Sequence, residues 1–170
     1  MRDETHNRPL LFVDVDGVIS LFGFQHGIEP PGSFHMVDGI VHCIGSSAAV
    51  RLARLAERFE LVWATGWEEK ANEYLVHLLQ MQGDLPVLTF DGRARFGSAH
   101  WKLDAIDEHA GERPAAWIDD NLDDECRTWA RRRSAPTLLV QTECATGIEE
   151  EHVELLLRWA DEVAGYSRSS

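Results

Sequence analysis

Five short apolar runs divide the chain, at about residues 10–15, 60–64, 86–90, 115–118 and 137–141, each with the length and apolar density of a strand buried on both faces. Between them apolar residues recur at helical spacing, which predicts helices over 47–59, 67–81, 100–110, 122–133 and 148–164. In the first of these Val50, Leu52, Ala53, Leu55, Ala56 and Phe59 form the stripe, with Ser46 or Ser47 as N-cap. In the last, Ile148, Val153, Leu155, Leu156, Trp159 and Val163 follow Thr146-Gly147 and cover one sheet face. Strands alternating with helices predict an α/β fold with a largely parallel sheet. One segment breaks the rhythm. Residues 17–45 are long for a strand-to-helix connection and carry Gly23, Gly27, Pro30, Pro31, Gly32 and Gly39. Their apolar patches predict a small hairpin flap, 18–24 against 34–40, over the carboxyl end of the first strand.

In a parallel α/β sheet, ligands bind beyond the carboxyl ends of the strands, so the residues there carry the candidate chemistry. The first run ends in Asp14-Val15-Asp16-Gly17. Alternation places residues i and i+2 on one side of a strand, so two carboxylates point the same way and repel, which calls for a cation near them. A divalent metal meets that need, and hard oxygen donors select magnesium over zinc. The plainer reading is a strand running into an acidic turn. After the second strand come Thr65 and Gly66; Lys102 opens the helix before the fourth strand, which ends in Asp119-Asp120. Taken singly, Thr65 reads as a strand-end or capping residue, Lys102 as a solvated lysine and Asp119-Asp120 as a turn before a helix. Their convergence on one sheet edge favours a carboxylate cluster around a metal.

This ordered set, Asp-x-Asp-Gly-Val, a strand ending in Thr, a lone Lys and a strand ending in Asp-Asp, resembles the haloacid dehalogenase superfamily over residues 10–141. The Ala-Thr-Gly-Trp after the second strand is similar to the phosphatase modules of RNA-repair proteins. The resemblance implies a Rossmannoid three-layer α/β sandwich, its central parallel five-stranded sheet in the order 5-4-1-2-3, with a short flap and no large cap, in a single unit spanning 1–170. It also implies a magnesium-dependent phosphomonoester hydrolase. Asp14 would attack phosphorus to give an aspartyl-phosphate, and Asp16 would protonate the leaving alkoxide and then deprotonate the hydrolytic water. Lys102 and Mg2+ would offset charge on the transferring phosphoryl group. Asp14, the backbone carbonyl of Asp16, and Asp119 would coordinate the metal, with Asp120 close by or acting through water. Thr65 would hold a phosphate oxygen, and Gly66 would add an amide at a helix entrance suited to anions. Asp16 also separates the chain from true dehalogenases, which attack carbon and need no second acid there.

Several neighbours stay open at this level. Asp123 reads either as a further outer-shell acid or, with Asp124 and Glu125, as charge in a helix's first turn. Trp67 reads as core packing or as a platform for an aromatic or nucleobase group. His26, His35, His42 and His100 lack zinc-ligand spacing, but His26 and His35 fall in the flap, within reach of a leaving group. Arg131, Arg132 and Arg133 are the run to test for positive charge gathered in one cleft, and otherwise read as cations at a helix C-terminus.

Composition narrows the partners. The 170 residues carry a formal net charge of -13, which argues against broad nonspecific affinity for nucleic acid or anionic membrane. A phosphorylated small molecule, or the terminal phosphate of a nucleotide or nucleic acid, is compatible with it. Cys43, Cys126 and Cys144 form no metal or redox motif, and the polar N-terminus has no secretory pattern, so a reduced, cytoplasmic setting is expected. The competing class is a noncatalytic binding or regulatory module that keeps the fold.

Overall fold

The computed structural model describes residues 8–91 and 99–167, so most of the polar N-terminal stretch lies outside it. Its elements run β1 (Leu10–Val13), β2 (Ser20–Leu21), β3 (Gly32–Val37), β4 (Ile40–Gly45), α1 (Ala48–Ala56), β5 (Glu60–Trp63), α2 (Glu69–Leu78), a 3₁₀ turn (Ala99–Lys102), α3 (Leu103–Ala110), β6 (Ala115–Asp119), α4 (Asp124–Arg132), β7 (Thr137–Gln141) and α5 (Glu150–Ser167). A parallel sheet in the order β5-β1-β6-β7 forms the centre, with Leu10 opposite both Glu60 and Ala115. Because strands in such a sheet are covered on both sides, their alternate residues feed two cores. Leu11, Val13, Leu61, Trp63 and Ile118 meet α1, α2 and α5 on one face; Leu10, Phe12, Val62 and Trp117 meet α3 and α4 on the other. No helix among the described residues is long and apolar enough to cross a membrane, and all three cysteines are free thiols.

Four of the five expected strands stand in the expected order. The fifth does not form: residues 86–90 contribute a single parallel bridge, Trp63 to Val87, at the β5 edge. Pro86 has no amide proton to give to a ladder. Phe90, at the other end, donates its amide to the Glu68 carboxylate instead of to a strand. β1 likewise stops at Val13, so Asp14 and Asp16 lie beyond the strand and its alternation does not fix their directions.

The flap also differs from the expected hairpin of 18–24 with 34–40. β3 pairs with β4 around Asp38-Gly39, and β2 pairs with the far side of β4. Asp38 and Gly39 both have positive φ, 49° and 79°, the twist that two-residue hairpin turns require and that Asp-Gly supplies. Backbone bonds tie the flap's base to the body: Gly45 N–H donates to Ile19 O, Phe22 N–H to Cys144 O and Ile148 N–H to Val18 O. Its outer face leaves Phe34, Met36 and Val41 exposed.

The β5 edge depends on one buried amide. Asn72, on α2, accepts from Trp63 Nε1 at 3.0 Å and from Leu85 N–H at 3.0 Å, and donates to Leu85 O at 2.8 Å. Apolar substitution would strand the buried Trp63 N–H and two part-buried Leu85 backbone groups, a buried group costing roughly 1–3 kcal/mol when unpaired. Asn72→Leu is therefore expected to lower stability by about 3 kcal/mol, read from chemical denaturation. An unchanged midpoint would show that this edge is held by other contacts.

Candidate active site

The carboxyl ends of β1 and β6 meet around Lys102. Its Nζ lies 3.0 Å from Asp14 Oδ1 and 2.6 Å from Asp119 Oδ2, with all three side chains buried. Burial alone would lower the ammonium's pKa, but the two carboxylates outweigh it and hold it above the ordinary value. Adjacent parallel strands supply the pair: Val13 lies beside Ile118, and Asp14 N–H donates to Ile118 O. The 3₁₀ turn brings Lys102 to them, anchored by Ala99 N–H to Asn121 O at 2.9 Å. Asp119 is oriented again by Asn121 N–H, which donates to its Oδ1.

Asp120 completes a cluster. One carboxylate oxygen each from Asp14, Asp119 and Asp120 lies within 4.8 Å of the others. Three carboxylates face one ammonium, so the group carries excess negative charge in a poorly hydrated place. Burial is accordingly the main cause that pushes Asp14 up to about 8 and Asp120 up to about 6, and Asp119 raises both further. Such a set of hard oxygen donors fits a divalent cation. Gly17 makes room for the Asp120 carboxyl. With φ at 76° and its Cα against the Asp120 carboxyl, any Cβ there would collide with that group.

Asp16 stands apart from the cluster. Its carboxylate Oδ2 accepts a hydrogen bond from Trp67 Nε1 at 3.0 Å. It keeps an exposed face, yet lost hydration beside the flap holds its carboxyl above the ordinary value, against the lowering effect of Trp67. Thr65 is fully buried, and its hydroxyl accepts from Trp67 N–H at 3.2 Å, shaping the entrance to α2. Gly66 and Trp67 wall an open cleft of about 440 Å³ together with Asp14, Asp16, Lys102, Asp119 and Asp120. All the predicted site residues but Thr65 therefore line one cleft, and Thr65 backs it.

Other candidates separate from it. Asp123 caps α4, accepting from Cys126 N–H at 3.0 Å, and pairs with His100, while Asp124 and Glu125 occupy the helix's first turn. Arg131 and Arg132 sit in its last turn. His35 bonds Ser33 within the flap, and His26 is exposed. His42, which the sequence did not single out, lines a hollow that adjoins the cleft. Phe22, Trp101 and Asn121 are further walls that spacing alone did not reveal. Phe22 and Asp16 are shared with an adjoining hollow of about 370 Å³ that includes Ser20, Val41 and His42. A larger hollow of about 690 Å³, near Asp107 and Trp129, is lined by Arg132 and Arg133 of the arginine run but by none of the residues predicted for catalysis, phosphate or metal.

The family model described as the HAD domain in Swiss Army Knife RNA repair proteins matches residues 10–153. The chain belongs to that family. The match runs from the start of β1 into α5, so it takes in every residue of the cleft. No curated protein matches the chain. Membership supports phosphatase-type chemistry and a divalent metal at the carboxylates just described.

The raised carboxyls set the pH dependence of metal binding. Between about pH 4 and 8 the folded, metal-free protein holds a proton on Asp14 that the unfolded chain has lost, so stability falls as pH rises through that window. A cation must displace that proton, so affinity should climb with pH, by up to about tenfold per unit for each proton released. Calorimetric titration with Mg2+ at pH 6 and pH 8, in buffers of different ionisation enthalpy, measures both quantities. Equal affinity and no proton release would contradict this account of the cluster.

Proposed function

We propose that the protein is a magnesium-dependent phosphomonoester hydrolase working through a phosphorylated Asp14. The observation that carries this reading is a buried carboxylate, held by Lys102, on the floor of an open cleft whose other acids are Asp119 and Asp120. Asp14 attacks phosphorus while the bond to the ester oxygen breaks, and the departing oxygen takes a proton from Asp16. Asp16, now ionised, takes a proton from the water that cleaves the aspartyl-phosphate, restoring both acids. Burial, the main cause, raises its carboxyl above the ordinary value, the direction that a proton donor in the first step requires.

Lys102 has two tasks that follow from its position. It fixes the Asp14 oxygen 3.0 Å away, and it places positive charge where the phosphoryl oxygens gather. Gly66, which lines the cleft before α2, would add a backbone amide beside an anion, with Thr65 behind it. Asp14, the carbonyl of Asp16, Asp119 and, directly or through water, Asp120 would hold Mg2+. When bound, that ion supplies positive charge that favours ionised Asp14 and screens the transferring phosphoryl group.

The family's name points to RNA repair, and the cleft's openness suits a phosphate at the end of a nucleic acid. Only the terminal group has to enter. Hydrolysis of an aryl phosphate and of oligonucleotides bearing a 3′- or 5′-phosphate, with and without Mg2+, tests the reading. Activity should require Mg2+ and fall by about 1000-fold or more in Asp14→Asn. Equal rates for that variant and the wild type would sink the proposal. Inactivity on every ester with Mg2+ binding intact would favour the noncatalytic module.

A further inference from the structure

We propose that Trp67 and His42 are positioning residues that hold the Asp16 carboxyl on the leaving-group side of the cleft, and so set how well poor leaving groups are cleaved. The inference rests on the acid/base role given to Asp16 above. An exposed aspartate ordinarily turns freely about its side-chain bonds, and a proton donor that wanders delivers little catalysis. Here one oxygen, Oδ2, accepts the Trp67 indole N–H at 3.0 Å, while Oδ1 accepts no hydrogen bond among the described residues. The geometry leaves Oδ1 to carry the proton.

The indole is fixed in turn. Its own backbone N–H donates to buried Thr65, and its ring meets the His42 imidazole edge to face, with centroids 4.7 Å apart and planes at 64°. His42, on β4, is anchored through Nδ1 to the Ser20 hydroxyl at 2.8 Å. Ser20 is buried on β2, bridges Asp16 through the backbone and accepts the Gly17 N–H. The contacts therefore close on themselves, from Asp16 through Trp67, His42 and Ser20 back to Asp16. The circuit joins the flap to the entrance of α2 through the one acid that stands outside the cluster. It also gives the flap a chemical task besides covering the sheet edge.

Leaving-group dependence separates positioning from packing. An aryl phosphate whose phenol is acidic leaves without a proton, whereas an alkyl phosphate needs one, and kcat/KM reports only the transfer to Asp14. Trp67→Phe keeps an aromatic ring and removes the N–H. It should raise the ratio of kcat/KM for aryl over alkyl phosphate by about tenfold, a fraction of the general-acid contribution. His42→Leu, which leaves the indole in place but loosens it, should move the ratio the same way by about threefold and serves if Trp67→Phe does not fold. A uniform fall on both esters, an unchanged ratio, or a rise in KM confined to aromatic substrates would overturn the proposal. Asp16→Asn is the reference: a large rise in its ratio shows that Asp16 is the acid. If that rise is absent, the acid/base reading itself has failed, whatever the Trp67 variant does.

Discussion

The ion contact of Lys102 with Asp14 and Asp119 is the constraint on which the cleft depends. A lysine brought out of water costs several kcal/mol unless its charge is met, and here two carboxylates meet it from neighbouring strands. Those strands can present their ends side by side only because β1 and β6 are parallel and in register, Val13 beside Ile118. The 3₁₀ turn has to deliver the ammonium to the same point, and its backbone bond to Asn121 fixes where it stops. Sheet topology, helix packing and charge pairing are thus solved together. A lapse in any one would bury an unpaired charge.

The same contact leaves the site incomplete in charge. One ammonium cannot neutralise Asp14, Asp119 and Asp120, and burial makes the remainder costly, which is why Asp14 and Asp120 favour protons. A hard cation removes that cost by the same donors. The glycine after Asp16 belongs to this arrangement, since the space a side chain would take is filled by the Asp120 carboxyl. Asp-x-Asp-Gly is therefore a steric statement as well as a chemical one.

How much of this was legible follows from where each feature is encoded. Runs such as Leu10–Val13 and Ala115–Asp119 are buried on both faces, so apolar density alone marks them, and the parallel order follows from their alternation with helices. Residues at their ends then fall together without any detail of side-chain direction. Features set by tertiary contacts were not readable. The strand expected at 86–90 fails because Pro86 and the bond from Phe90 to Glu68 remove its ladder, and only the proline is visible locally. The flap strands are half exposed, so their apolar pattern does not report a core; Asp38-Gly39 was the better signal, because turn geometry is encoded in two residues. The divergence of Asp16 from Asp14 was hidden because β1 stops at Val13 and the indole that holds Asp16 is 51 residues away.

Under the acid/base role proposed for Asp16, that divergence divides the labour within the cleft. Acids whose charges must be met by cations belong near Lys102, while an acid that exchanges protons with a leaving group or water needs access to solvent and a fixed direction. Asp16 has an exposed face and an indole N–H that sets its rotamer. With a chain charge of -13, attraction for a long polyanion is weak, and the described cleft offers Lys102 together with the aromatic walls Phe22, Trp67 and Trp101. On the proposed reading, binding energy in such a cleft would come from one phosphate against Lys102 and a cation at the cluster, and from flat apolar surface beside it. Such a site would take only the end of its substrate, and the direction in which Trp67 holds Asp16 would decide how readily that end departs.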